Sequence, residues 1–166
     1  SKPLLHMVLA DLLAFYHLFH DTGSIHGRLE QIQEVISWKI APDLFTNPDS
    51  KPPGFSHIED GLAPRGVGNP GAYYITSKFD VLEYFLEVFI KVKASRADVY
   101  DESVIKRISE EVEHDYPRNA TTSKNVLLHL LFPHAFERCV NDTQKEAIFN
   151  TYKTRYNISD DEDIDV

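Results

Sequence analysis

The stretch FDVLEYFLEVFIKVKA, residues 79–94, carries apolar side chains at steps of three and four residues. This period is typical of an amphipathic helix and sets the fold class expected for the whole chain. We expect Thr76 or Ser77 to cap this helix, with Asp80 reaching back as in a capping box. The side chains expected on its buried face are Leu82, Phe85, Leu86, Phe89 and Ile90.

The same period extends in both directions and predicts about six helices with no convincing strand. The segment 2–20 is apolar nearly all round, which predicts a central, buried helix. The other predicted helices cover residues 25–40, 101–115, 121–132 and 142–156, the last capped by Asn141. We therefore expect an all-α fold with a single domain over residues 1–157, followed by an acidic tail or linker over residues 158–166.

A long segment rich in proline and glycine, residues 41–77, separates the second predicted helix from the next one. It contains GVGNPG, residues 66–71, which fits the dinucleotide-binding pattern G-x-G-x-x-G. That pattern works only after a buried strand within a parallel sheet, and no strand pattern precedes Gly66. We interpret the glycines as shaping a surface loop. A Walker A motif is also absent from this chain, so we expect no nucleotide hydrolysis by that route.

The net charge is −9, and five acidic residues lie within the last seven positions, so the rest of the chain carries −4. This balance lacks the basic footprint of a strong nonspecific DNA-binding protein. The apolar run 4–19 is too short for a membrane span, so no membrane contact is expected. The chain has one cysteine, Cys139, so it cannot form an internal disulfide, and we expect a reducing, cytoplasmic location. We expect Cys139 to be a small buried residue.

Histidines suggest one possible site of chemistry. His17 and His20 are three residues apart on one predicted helix face, a spacing at which two imidazoles can share a metal ion. Asp21 is the nearest candidate for a third ligand. The alternative, which we favour, is that both histidines are amphipathic residues at the end of the helix, and that no metal is bound. His129 lies on an apolar helix and is expected to be a hydrogen-bonded core residue.

Cations and aromatic residues near loops and caps suggest a second kind of site. Basic residues beside aromatic rings can hold a flipped or single-stranded base by stacking. The alternative is that Tyr73 and Tyr74 fix the loop onto the helical core. The candidate contacts for DNA or a partner protein are Arg65, Tyr73, Tyr74, Lys78, Arg118, Lys124, Arg138 and Lys145.

The segment TTSKNVLLHLLFPHAFERCVNDTQKEAIFNTY, residues 121–152, resembles a stretch found ahead of the ATPase domain in McrB-like AAA+ proteins. That stretch is an apolar helix, then Leu-Phe-Pro-x-x-Phe-Glu, then a polar turn with a lysine opening another helix. The matching residues here are Leu131, Phe132, Pro133, Phe136, Glu137 and Lys145, and His134 stands where the family often has an acidic residue. In the lead-in to the preceding helix the matching residues are Gly71, Tyr74 and Thr76. The resemblance covers about residues 69–155.

The resemblance implies a non-catalytic module N-terminal to the motor of a modification-dependent restriction or anti-phage defence ATPase. The nucleoside triphosphatase motor of the same chain and a nuclease or effector subunit would be its partners, and no cofactor is expected in this chain. Our first hypothesis is that the module recognises a target, with contact to DNA. The second is a protein-interaction or scaffold module without DNA binding. The third, from another class, is a small metal-dependent enzyme built on His17 and His20.

Overall fold

The computed structural model of the protein describes residues 3–20, 23–37, 61–62, 66–116 and 120–156. This part of the chain is helical and contains no β-strand, so the expected all-α class is confirmed. The chain divides into two compact units, residues 1–69 and residues 70–166. The helices are α1 (Pro3–Phe19), α2 (Ile25–Ser37), α3 (Ala72–Thr76), α4 (Lys78–Ser95), α5 (Glu102–Asp115), α6 (Thr121–Leu131) and α7 (Asp142–Tyr156).

The first unit contains the helices α1 and α2, which pack against each other. Their buried apolar residues are Ala10, Leu12, Leu13, Tyr16 and Phe19 on α1, and Ile32, Val35 and Ile36 on α2. The expectation that α1 is buried all round is wrong, because Leu5 is 69% exposed and Val8 is 43% exposed. Apolar composition predicts that a helix is buried, but it does not show which of its turns a neighbour covers.

The turn between α1 and α2 follows from local backbone chemistry. Gly23 has a φ of 82°, a left-handed conformation that glycine adopts without steric cost. The Oγ atom of Ser24 then accepts a hydrogen bond from the backbone N–H of Gly27 at 3.1 Å, as an N-cap does. Glycine and serine at adjacent positions therefore reverse the chain and start the second helix.

Part of the glycine-rich segment runs along the end of α1. The backbone N–H of Gly68 donates to the carbonyl oxygen of Phe19 at 2.8 Å, and the N–H of Val67 donates to Leu18 at 3.4 Å. Within the described residues this is a single bridge and not a strand. The buried strand that a dinucleotide-binding loop requires is absent from residues 61–62 and 66–71, so the surface-loop interpretation of GVGNPG is favoured. The rest of the proposed loop, residues 41–60 and 63–65, and the tail 158–166 lie outside the described residues.

The second unit has its core among α4, α5 and α6. The buried face of α4 differs from the expected one, because Leu86 is 37% exposed and Ile90 is 51% exposed. Ile105, Ile108 and Val112 of α5 are buried. The buried residues of α4 are Val81, Leu82, Tyr84, Phe85, Val88 and Val92.

The caps of these helices are only partly as expected. The side chain of Asn141 accepts a hydrogen bond from the N–H of Gln144 at 3.3 Å, which confirms its capping role at α7. The capping box expected at α4 is wrong, since Ser77 makes no side-chain cap hydrogen bond. The hydroxyl of Thr76 donates a hydrogen bond to the carbonyl oxygen of Ala72 within the short helix α3. It is therefore bonded to the helix before it and does not cap α4.

Candidate functional site

The Phe-Pro-x-x-Phe-Glu segment forms a tight turn at the end of α6. The carbonyl oxygen of Phe132 accepts hydrogen bonds from the backbone N–H groups of Ala135 and Phe136, each at 3.0 Å. Both phenylalanine rings are buried, and their centroids are 6.3 Å apart. Pro133 is exposed at the first position after Phe132, where its missing N–H and the clash of its ring with the preceding turn prevent the helix from continuing. The motif is therefore a packed structural turn.

Two side chains of α6 hold this turn in place. The Nδ1 atom of His129 donates to the carbonyl oxygen of Phe136 at 2.7 Å, which confirms His129 as a hydrogen-bonded core residue. The buried Asn125 donates through Nδ2 to the carbonyl oxygen of Val140 at 3.0 Å and to Oδ1 of Asp142 at 2.8 Å. Asn125 was not among the residues predicted from the sequence, although a polar residue inside an apolar helix was a usable signal.

Two of the candidate contact lysines are engaged within the second unit. Lys145 is 8% exposed, and its Nζ atom lies 3.7 Å from Oε2 of Glu137, so these two residues pair. Lys124 is also largely covered, and its Nζ atom lies 2.8 Å from Oε2 of Glu113. A phosphate group would have to displace a carboxylate at either lysine, so both are poor positions for binding DNA.

The remaining candidate contact residues differ in their exposure to solvent. Tyr74 is fully buried, which leaves no ring face for stacking on a base. Tyr73 is 39% exposed, and Arg138 is exposed. The Nζ atom of Lys78 lies 5.9 Å from the ring centroid of Phe79 at the start of α4.

Four further residues were singled out from the sequence, and the structure describes two of them. Arg65 and Arg118 lie outside the described residues. Leu131, the first residue of the motif, is half-buried at the end of α6. Cys139 was expected to be buried but is only partly covered, and its Sγ atom lies 3.6 Å from Oε1 of Gln144.

The two histidines of the first unit form a buried pair. The Nδ1 atom of His17 lies 3.1 Å from Nε2 of His20, so one ring donates a hydrogen bond and the other accepts it. Arg28, which is 6% exposed, donates through Nη1 to the carbonyl oxygens of both histidines at 3.4 Å each. A cation at the C-terminus of α1 suits the helix dipole.

This arrangement does not favour a metal centre. No group of three or more His, Cys, Asp or Glu side chains is placed to hold a metal ion in the part of the chain that the structure describes. Asp21, the third ligand considered from the sequence, lies outside that part. The guanidinium group of Arg28 at the same end of α1 would also oppose a divalent cation.

Two buried tyrosines have raised pKa values. Burial raises the pKa of Tyr16 to about 12. Burial, together with the negative charge of Glu113, raises the pKa of Tyr84 further. The Tyr84 hydroxyl donates to the carbonyl oxygen of Ser109 at 2.9 Å. Both groups stay protonated at neutral pH, so neither can act as a general base.

The outward face of α4 presents an apolar strip, which we name the α4 stripe and define as Phe79, Leu86 and Ile90. Phe79 is 80% exposed, and the other two residues are 37% and 51% exposed. At 3.6 residues per turn these positions lie on one side of the helix, opposite Val81 and Val88 of the buried face, and span about three turns. Apolar spacing alone had placed Leu86 and Ile90 in the core, so this surface was not predicted.

Comparison of the chain with protein-family models, with curated proteins and with solved structures gives no match. No helix within the described residues is long and apolar enough to cross a lipid bilayer. The assignment of function therefore depends on the residues and geometry above.

Proposed function

We propose that this chain is a non-catalytic recognition and coupling module of a McrB-like AAA+ restriction or anti-phage defence ATPase, and that it contacts a protein partner through the α4 stripe. The sequence resemblance over residues 69–155 supports the first part of this proposal. The motif residues that carry the resemblance, Phe132, Pro133 and Phe136, form a packed turn. Such a turn is suited to holding helices together, and not to chemistry at a bound substrate.

The observation that carries the contact to protein is the exposure of the α4 stripe. Apolar residues scattered singly on a surface are ordinary, but three that share one face of a helix suggest a contact surface. Apolar and aromatic residues of this kind are enriched at protein interfaces. The acidic character of the chain also favours a protein partner over a nucleic acid backbone.

DNA contact is the second candidate function, and one observation favours it. Lys78 lies beside the exposed ring of Phe79, and the half-exposed Tyr73 precedes them by a few residues. A cation next to exposed aromatic rings can bind single-stranded nucleic acid by pairing with phosphate and stacking on bases. The pairing of Lys124 and Lys145 with carboxylates leaves this end of α4 as a better position for such contact than either of those lysines.

The downstream coding sequence and the complete protein test the proposal together. We expect a Walker A motif, G-x-x-x-x-G-K-[ST], in the same reading frame after Val166. In the complete ATPase, replacement of Leu86 and Ile90 by serine should abolish assembly with the effector subunit, while basal nucleotide hydrolysis is retained. A stop codon directly after Val166, or unchanged assembly in the double variant, would contradict the proposal.

A further inference from the structure

The charges around the α4 stripe are arranged asymmetrically. Glu83 and Glu87, both exposed, follow the stripe along one flank, since they lie one and two turns after Phe79. The Oε2 atom of Glu83 also accepts a hydrogen bond from the Tyr116 hydroxyl at 2.8 Å. The other flank runs into Leu82, which is buried, and Phe89, which is half-buried. The stripe is therefore bordered by carboxylates on one side and by the core of the unit on the other.

The charges of α4 balance in number, and an acidic segment follows the helix. Residues 78–95 contain three acidic and three basic residues, whereas residues 96–115 contain seven acidic and three basic residues, a net charge of −4. Two of the basic residues form ion pairs. The Nζ atom of Lys91 lies 3.5 Å from Oδ2 of Asp115, and the Nη1 atom of Arg107 lies 2.8 Å from Oε1 of Glu111. Of the exposed or half-exposed bases on α4, Lys78 and Lys93 stand at the two ends of the stripe. The carboxylates of Glu83 and Glu87 are thus the charges that lie beside its middle turns.

We infer that the α4 stripe binds a basic amphipathic α-helix of a partner protein, with its apolar face on Phe79, Leu86 and Ile90 and its lysine or arginine residues along the flank of Glu83 and Glu87. This inference rests on the proposed function and specifies the partner class. A straight strip about three turns long fits the apolar face of another helix, because ridges of side chains on two helices interdigitate. The one-sided carboxylates fix which flank of the partner carries its cations, and so fix its orientation.

Charge complementarity favours a basic helix over a second copy of the chain or a lipid surface as the partner of the α4 stripe. In an antiparallel two-fold pairing, a second copy of the chain would bring its Glu83 and Glu87 near the same residues of the first, where like charges repel, and in a parallel pairing it would offer them no basic flank. An anionic lipid surface would meet the same repulsion. A basic helix gains both the apolar contact and the ion pairs, so it is the partner that the surface fits best.

A designed peptide tests the inference without knowledge of the natural partner. The probe is a fluorescein-labelled helical peptide of about 18 residues, about five turns, with leucine along one face and lysine on one flank. A matched peptide carries glutamate in place of every lysine. Binding to the intact chain is followed by fluorescence anisotropy at low and physiological salt, and circular dichroism confirms that each variant is folded.

We expect the lysine peptide to bind and the glutamate peptide not to bind. Leu86→Ser together with Ile90→Ser should weaken binding by about tenfold or more, since both substitutions remove apolar surface that the partner would cover. Glu87→Lys should weaken it by about threefold at low salt and by less at high salt. The matched controls Tyr100→Ser, at another exposed aromatic residue, and Glu146→Lys, on α7, should leave affinity unchanged.

Equal binding of the two peptides, or unchanged affinity in the stripe variants, would overturn the inference. Self-association of the chain that is lost in the Leu86→Ser, Ile90→Ser variant would also overturn it, by making a second copy the occupant. The same titration includes a labelled DNA duplex, which separates the two proposals. Absence of peptide binding without DNA binding would reject only the partner class, whereas DNA binding that survives physiological salt would reject the contact to protein itself.

Discussion

The Nδ1 atom of His129 lies 2.7 Å from the carbonyl oxygen of Phe136, and this bond joins helix α6 to the turn that follows it. A carbonyl oxygen can only accept, so the imidazole must carry a proton on Nδ1. We expect nitrogen-detected NMR to show protonated Nδ1 for His129 throughout the neutral pH range. An unprotonated Nδ1 at neutral pH would contradict the assignment.

Loss of this bond should destabilise the second unit. His129→Leu keeps an apolar side chain of similar size but removes a buried hydrogen-bond donor, which costs about 1–3 kcal/mol in unfolding free energy. Urea denaturation followed by circular dichroism measures the change. His134→Ala is the matched control, because His134 is exposed beyond the end of the same helix. Equal effects of the two substitutions would mean that the bond contributes nothing.

The two faces of α4 give a second prediction. Phe85 is fully buried, so Phe85→Ala should lower the unfolding free energy by about 3–5 kcal/mol. Ile90 is 51% exposed, so Ile90→Ala should change it by less than about 0.5 kcal/mol. Thermal and urea denaturation of the two variants compare the positions directly. A large loss of unfolding free energy in Ile90→Ala would mean that Ile90 belongs to the buried face, as the sequence predicted.

The α4 helix shows which structural features could be predicted from the sequence alone. Spacing of apolar residues located the helix to within a residue or two at each end, because the period of 3.6 is strong there. The same spacing could not choose the buried face, since apolar residues occur nearly all round the helix. The buried side of α4 is determined by packing against α5 and α6, which are distant in sequence, so the sequence of α4 alone does not specify it.

The candidate contact residues were only partly predictable for a related reason. Composition and position suggested that Lys124 and Lys145 were available cations, and both are paired with carboxylates in the folded chain. The Lys145–Glu137 pair was foreseeable because both residues belong to one motif. The Lys124–Glu113 pair joins two helices and needs the tertiary fold. The exposed α4 stripe was missed because an apolar residue was assumed to be buried.

Tyr84 gives a third prediction. Its hydroxyl donates to the carbonyl oxygen of Ser109 on α5, so Tyr84→Phe should cost about 1 kcal/mol in unfolding free energy. Its raised pKa should also keep it out of the ultraviolet titration of tyrosinate until the protein unfolds. The exposed Tyr100 serves as the reference for a tyrosine ring in solvent. Ionisation of Tyr84 while the protein is still folded would contradict its burial.

A fourth prediction concerns the pH dependence of the α5 cap. The Asp101 side chain accepts from the hydroxyl of Ser103 at 2.7 Å and from the backbone N–H groups of Ser103 and Val104. The side-chain bond from Ser103 and the backbone bond from Val104 hold the pKa of Asp101 below its usual value. The stabilisation is therefore complete above the unfolded pKa, about 3.9, and is lost as the pH falls through the lower folded value.

Asp101→Ala should accordingly lower the melting temperature at neutral pH, and its difference from the natural chain should shrink as the pH falls below about 4. Asp101→Asn retains an acceptor at the cap and should lose little at neutral pH. Melting curves at several pH values compare the three chains. A difference between Asp101→Ala and the natural chain that is independent of pH would show that the carboxylate charge does not contribute.

Fluorescence anisotropy with labelled DNA tests the central claim, that this module contacts protein and not DNA. The ligands are an unmodified duplex, a cytosine-methylated duplex and single-stranded DNA, each at low and physiological salt. We expect no saturable binding at physiological salt, and at most weak binding at low salt that all three ligands share. Binding that persists at physiological salt, prefers one ligand and is lost in the Lys78→Ala, Tyr73→Ala variant would contradict the claim.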